Sequence, residues 1–447
     1  MEDVVLGCCI FDEPDLCAQG WLATGGEKTE RFESVDEVLE HYPSSQWLTN
    51  VPYTVRKELG VMPQTQCCCA GYFHEDFVRL SASLGIQERR GMAIFGGMLM
   101  NRVTRLAKAF VDEAFFPAPY AVKFGFQRAL GLSTLFVPGI LNEAFTSATY
   151  YSVECPLAYE YPEKEHIGTL LVPQRTHCAR IFDAPLPLGR FLPASRDEIP
   201  AQGAKREDII AYLRDNRDRP GLFHIVWSNL DANVRPLLRF SRHFGDMPRE
   251  LWLTSPDFML LAPFADITIY EVYFAESVHH LDRLVSLAET FGEHADCSIS
   301  SHLFFENLWL GQTVARKSRQ RLPGLFAVNP NTSYLRARDR FVLFQSVANL
   351  IKNGITVLGY GNGRIRVDMS RTDPLRLFTI ARENGLIPPF LGLQGDLLPK
   401  PSEEKVLSYM QHWFATNNTA AILDFDGKMV NSLLAKSANL AGGKDEA

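Results

Sequence analysis

A chain of 447 residues, 46% hydrophobic and 22% charged, has the make-up of an ordinary soluble globular protein and exceeds what one core usually holds, so two or three domains are expected. Its net charge of -7 argues against a nucleic-acid partner. The longest conspicuous apolar run, Gly91 to Met100, is far short of the roughly 20 residues that cross a bilayer. Met-Glu-Asp-Val-Val opens the chain with acidic residues where a secretory signal carries basic ones, so no membrane association and a cytoplasmic setting are expected.

The first 88 residues read as a small α/β unit. Val4–Ile10 and Leu16–Ala23 are strand-like around the turn-forming Phe-Asp-Glu-Pro-Asp, and Ser34 with Glu37 gives a capping-box signal for a short helix. Gln66–Phe73 is a further strand, and Arg89 to about Glu113 a long helix. The nine cysteines, with Cys67-Cys68-Cys69 in a row, form no C-x-x-C pair and no even framework. Buried reduced thiols are therefore expected, with no zinc at the triplet and no cofactor.

Residues 89–400 carry a longer series. Strands are expected at Leu132–Val137, Gly168–Val172, Leu222–Trp227, Leu251–Thr254, Ile267–Tyr273 and Cys297–Phe304, with a long proline-bearing loop over 185–205 and a helix at Arg206–Asp215. Near the end, Phe344, Val347, Ala348 and Ile351 mark a buried helix. Asn353-Gly354 stops it, Ile355–Leu358 follows as a strand, and Gly359, Gly361 and Gly363 form a loop. Strands that recur with helices between them imply parallel crossovers. The expected fold class is α/β: a (β/α) barrel-like or mainly parallel sheet with the small N-terminal α/β unit attached. Residues 401–447 are expected to be a helical segment and a disordered tail.

Two glutamates sit at the ends of strand-like runs. Glu143 follows Asn142 just past Leu132–Val137, and Glu271 lies in Ile267-Thr-Ile-Tyr-Glu-Val-Tyr273. Barrel active sites gather at strand carboxyl ends. Glycoside hydrolysis uses two carboxyl groups, about 5 Å apart for retention or about 6.5–9.5 Å for inversion. Glu143 is the expected acid/base and Glu271 the expected nucleophile, with Asn142, Tyr270 and Tyr273 contacting a sugar. The partner expected on this reading is a polysaccharide or oligosaccharide.

The run Asp266–Glu271, the helix through Leu281 and Leu287, and the helix–strand–glycine run Phe341–Gly363 together resemble the C-terminal half of TIM-barrel glycoside hydrolases of the dextranase-like kind. The resemblance covers about a quarter of the chain and implies a barrel and a carbohydrate hydrolase. The family's aspartate-centred nucleophile motif has no clear match here. Two other readings stand beside it. His279-His280, His294, Cys297 and His302, with His224 and His243 upstream, suit a metal-dependent or deacetylase-like hydrolase, although no H-E-x-x-H is present. The other is a non-catalytic scaffold that binds a protein partner in a larger assembly.

Overall fold

The structure, a computed structural model, describes chiefly residues 6–62, 86–114, 155–290, 299–310 and 330–386, with short gaps inside those ranges and a few residues between them. The chain divides into two compact units. One comprises Met1–Gly131, Glu289–Gly311 and Leu393–Ala447; the other comprises Leu132–Ala288 and Gln312–Gly392.

In the first unit, β1 (Leu6–Glu13), β2 (Ala18–Ala23) and β3 (Glu30–Phe32) form an antiparallel run, and β4 (Gln46–Thr49) joins β1 in parallel to give the order β3-β2-β1-β4. Between β3 and β4 lies α1 (Val35–His41), whose Ser34 hydroxyl accepts the Glu37 N–H at 3.2 Å, as the sequence predicts. Asn50 extends the sheet's bonding past β4. Its side chain donates to the Phe11 carbonyl and accepts the Phe11 N–H, each at 2.8 Å. Phe11, Phe32, Val38 and Trp47 close the core on this side.

The long helix α2 (Arg89–Ala114) packs on β1 and β2. It approaches through Gly96 and Gly97, where a Cβ would overlap Cys8 and come within 2.7 Å of the Ala23 Cβ. Close approach of backbone to sheet is what glycine permits here. Gly96→Val should therefore cost about 1–3 kcal/mol by overpacking, measured as a lowered denaturant midpoint with an unchanged slope.

The second unit holds two four-stranded sheets. β5 (Cys155–Pro156) and β6 (Ile167–Leu171) flank a later hairpin. β7 (Leu186–Pro193), β8 (Gly221–Ser228), β9 (Glu250–Thr254) and β10 (Asp266–His279) form the order β7-β10-β8-β9. The hairpin is β11 (Val357–Gly361) and β12 (Arg364–Asp368), giving β5-β11-β12-β6. Every pairing in both sheets is antiparallel.

This overturns the expected barrel or mainly parallel sheet. The expected strands at Ile267 and Ile355 do not share a sheet: Ile267 lies in β10, and β11 begins at Val357 in the other one. The glycine run is not a barrel-rim loop either. Asn362 and Gly363 both have positive φ, 54° and 68°, which is the two-residue turn that matches hairpin twist. The proline-bearing stretch expected as a loop supplies β7, and Ile299–Phe304 of the expected strand Cys297–Phe304 lies in the helix Ile299–Leu310. Prolines at the ends of β7 fit because β7 is an edge strand.

One face of β8-β9-β10 is dry. Phe223, Ile225, Trp227, Leu251, Leu253, Ile267, Ile269, Val272 and Phe274 meet Ile209 and Leu213 of α3 (Arg206–Asp215) and Phe258 and Leu261 of α4 (Ser255–Leu261). Each such side chain contributes about 1.5–3 kcal/mol on burial. A second cluster joins Leu343, Val347 and Leu350 of α5 (Pro330–Lys352) to Tyr360, Ile365 and Val367 of the hairpin.

The first half of α5 is buried yet polar, and several of its groups are bonded to other elements. Arg340 pairs with Asp257 of α4. Asp339 accepts the Gly363 N–H at 2.9 Å and the His177 Nε2 lies 2.7 Å from the same oxygen. Tyr334 donates its hydroxyl to the Gly221 carbonyl and stands 3.1 Å from the Ser255 hydroxyl. Burial pushes the Asp257 carboxyl above its ordinary range, and Arg340 pulls it back by less. Arg340→Met leaves that carboxyl buried without its cation, an expected loss of about 3–5 kcal/mol. The variant's folded state then binds a proton more tightly than the unfolded chain. Its stability should fall as pH rises through and above the usual carboxylate range, as chemical denaturation across that range would show.

Candidate functional site

The outer face of β10-β8-β9 carries the chemistry. Along β8 the alternation Phe223-His224-Ile225-Val226-Trp227 sends His224 and Val226 away from the core. Cross-strand partners of His224 are Trp252 on β9 and Glu271 on β10. A strict alternation from Ile269 would turn Glu271 inward. The register shift between Ile269 and Glu271 prevents this. Two residues, Tyr270 and Glu271, there oppose one, as in a β-bulge. Both are exposed, and Val272 returns to the core.

The rings on this face touch one another. His224 and Trp252 stack with centroids 4.5 Å apart and planes 9° from parallel. Tyr270 lies 5.8 Å from His224, and Tyr273 lies 6.2 Å from Trp252. Each glutamate is held by a neighbour. Glu250 Oε1 sits 2.7 Å from His224 Nε2, and Glu271 Oε2 accepts the Tyr273 hydroxyl at 3.1 Å. Tyr270 is 46% exposed, the Glu250 side chain 69%, and the His224 side chain 18%. The result is a row of rings with two carboxylates on it, open to solvent among the described residues.

The Tyr273 phenol is shifted above its ordinary range by burial first, then by its hydrogen bond to Glu271 and that group's charge. It therefore stays protonated and donates to the carboxylate throughout the physiological range. At the far end of the face, Asp266 meets Arg206 at 3.3 Å and the Asn229 amide at 2.8 Å. The Asn229 bond, with Arg206 adding to it, holds the Asp266 carboxyl below its ordinary range.

Of the expected site residues, Glu271, Tyr270 and Tyr273 come together on this face. Asn142 and Glu143 lie outside the described residues, as do Cys67, Cys68, Cys69, His243, His294 and Cys297. His279 and His280 are exposed at the end of β10. Among the described residues, no group of three His, Cys, Asp or Glu side chains is arranged to hold a metal ion. Sequence reading missed Trp252 and Glu250 altogether and weighed His224 only as a metal ligand. The outward positions of β8 and β9 were open to view, but only an antiparallel register sets them beside β10.

No family model and no curated protein matches this sequence. Solved structures that match include several of Phi29 DNA polymerase. One is complexed with primer-template DNA in the post-translocation binary complex, at 11% identity and TM-score 0.33 over 66% of this chain and 51% of that one. Another is the ternary complex with incoming nucleotide substrates, at 10% identity and TM-score 0.33 over 64% and 50%. A third is the orthorhombic crystal form, at 11% identity and TM-score 0.33 over 68% and 52%. This chain spans about half the length of those chains, and likeness at that TM-score carries no argument about function.

The described residues form separate four-stranded sheets, antiparallel throughout in the second unit, and no TIM barrel. The resemblance to dextranase-like hydrolases is therefore withdrawn. Its physical basis fails as well, since β10 and the helix–hairpin run belong to separate antiparallel sheets. The polysaccharide partner goes with it. So does the argument from net charge against nucleic acid, because a whole-chain sum says nothing about one face.

Glu271→Gln removes the charge that helps to raise the Tyr273 phenol. The expected outcome is a Tyr273 pKa that falls toward, but not to, the ordinary value, because burial remains. Site-specific tyrosine labelling followed by NMR titration reads it directly, and an unmoved pKa would break the Glu271–Tyr273 link.

Proposed function

We propose that this chain is a non-catalytic partner-binding protein, with the outer face of β10-β8-β9 as its docking surface. The observation that carries the reading is the row His224, Trp252, Tyr270 and Tyr273 on an open face, with Tyr270 46% exposed. Tyrosine and tryptophan are the residues that dominate binding at protein interfaces, where a large ring is buried at small entropic cost. Openness supports binding over turnover. A catalytic carboxylate works best where water is excluded and its proton affinity is tuned, whereas Glu271 sits exposed on a sheet. A cytoplasmic setting is part of the same reading. It is supported by the free, buried thiols of Cys17 and Cys178. In the described residues no helix is long and apolar enough to cross a membrane.

A displayed random-peptide library selected on the purified full chain tests this. Peptides that enrich on the wild type and fail on a Trp252→Ala, Tyr270→Ala variant of unchanged circular dichroism are the expected result. Enrichment indifferent to those substitutions, or none at all, would remove the face as a docking surface.

A further inference from the structure

We propose that the occupant of this face is an arginine-bearing segment of another protein, seated with guanidinium groups between the rings and the carboxylates of Glu250 and Glu271. The inference rests on the docking surface proposed above and adds the chemistry of what binds there.

Charge decides the class. The face carries three carboxylates, those of Glu250, Glu271 and Asp266. Its rings add their own negative potential, because the π faces of tryptophan and tyrosine attract cations. At its end, Arg206 is already engaged with Asp266 and Asp231. Just past the end of β7, Arg196 is turned to the Ile269 carbonyl of β10 and followed by exposed Asp197 and Glu198. A phosphate backbone laid on this surface would meet carboxylates where it needs cations. A basic side chain meets what it needs.

Arginine suits the arrangement better than lysine. Its planar guanidinium stacks on an aromatic face and at the same time presents paired N–H donors to a carboxylate in its own plane. The chain uses both contacts internally. Arg206 reaches Asp266 on this same face, and Arg219 lies 4.0 Å over the Phe274 ring on the other. Hydrogen bonds from His224 and Tyr273 hold the two free-facing carboxylates in place before anything arrives. Their remaining lone pairs stay available to a donor.

Spacing adds a further constraint. β9 and β10 flank β8, so Glu250 and Glu271 arise from strands about 10 Å apart at ordinary strand separation. In a polyproline-type segment, residues three apart point the same way and lie about 9 Å from each other. Glu250 opposes Val226 and Glu271 opposes His224, so the two are also offset by two residues along the strands, and an extended Arg-x-x-Arg segment crossing the strands obliquely can address both carboxylates through its long side chains.

The experiment titrates the full chain with fluorescent peptides of one proline-rich backbone carrying Arg-x-x-Arg, Lys-x-x-Lys or Glu-x-x-Glu, and with a single-stranded DNA oligonucleotide. The expected result is saturable binding of the arginine peptide, tighter than the lysine one and weakened by salt. It should lose about tenfold or more in Glu271→Gln and again in Trp252→Ala, the scale of one well-placed charge or cation–π contact. Lys57→Ala, in the other unit, should leave it unchanged. Arginine and glutamate peptides that bind alike, or arginine binding indifferent to Glu271→Gln and Trp252→Ala, would overturn the proposal. Preference for the oligonucleotide, lost in Trp252→Ala, would overturn it too. If library peptides enrich on the face but lack arginine, the chemistry is wrong while the docking surface stands.

Discussion

The second unit depends on a polar helix half placed where an apolar one would be ordinary. From Asn331 to Arg340 the buried positions of α5 include Asn, Thr, Ser, Asp and Arg, and buried groups of this kind are tolerable only when bonded. Their bonds run to different elements: Arg340 to α4, Asp339 to the β11–β12 turn and His177, Tyr334 to the start of β8. One helix thus ties the hairpin sheet to the sheet that bears the aromatic face. An apolar helix would bury as much surface, but it would slide more easily. Directional bonds with one satisfying geometry fix the register of α5 against both sheets, a specificity role suited to a site that must stay rigid.

The aromatic face depends in turn on a single extra residue in β10. Without the shift at Ile269/Glu271, the apolar set beyond it would turn outward and Glu271 would enter the core. The bulge lets Val272 and Phe274 continue the core made by Ile267 and Ile269 while Tyr270 and Glu271 crowd one side. Packing and site are consequences of the same irregularity. Bulges often serve to aim side chains in this way.

Much of this was legible locally and little of it globally. The helix Arg206–Asp215, the strands Leu222–Trp227 and Leu251–Thr254 and the Ser34 cap are legible because each depends on neighbours a few residues away. Strand direction does not depend on neighbours. An unbroken apolar strand such as β11 satisfies a parallel or an antiparallel sheet equally, and choosing the parallel one turned an Asn362-Gly363 hairpin into a barrel rim. The Asn-Gly pair was the signal to weigh, since both residues sit at positive φ. Of the candidate face, Tyr270, Glu271 and Tyr273 stand on one strand and are visible from it alone. Trp252 and Glu250 needed the register of β9 against β8, which sequence pattern does not carry.

On the proposed docking reading, rigidity is what would turn the row of rings from a surface feature into a recognition element. Free tryptophan and tyrosine side chains would have to be ordered on binding, at about 0.5–1.5 kcal/mol each for an immobilised side chain. Here His224 against Trp252, and Tyr273 against Glu271, fix the rings through cross-strand contacts that exist in the unbound chain. Those contacts are themselves positioned by the core beneath, because Phe223 and Ile225 flank His224 on β8, and Leu251 and Leu253 flank Trp252 on β9. The same pleat that buries alternate side chains aims the ones between them. A loop carrying the same four rings would bind through whatever conformations it visited. A sheet with a bonded helix behind it presents one.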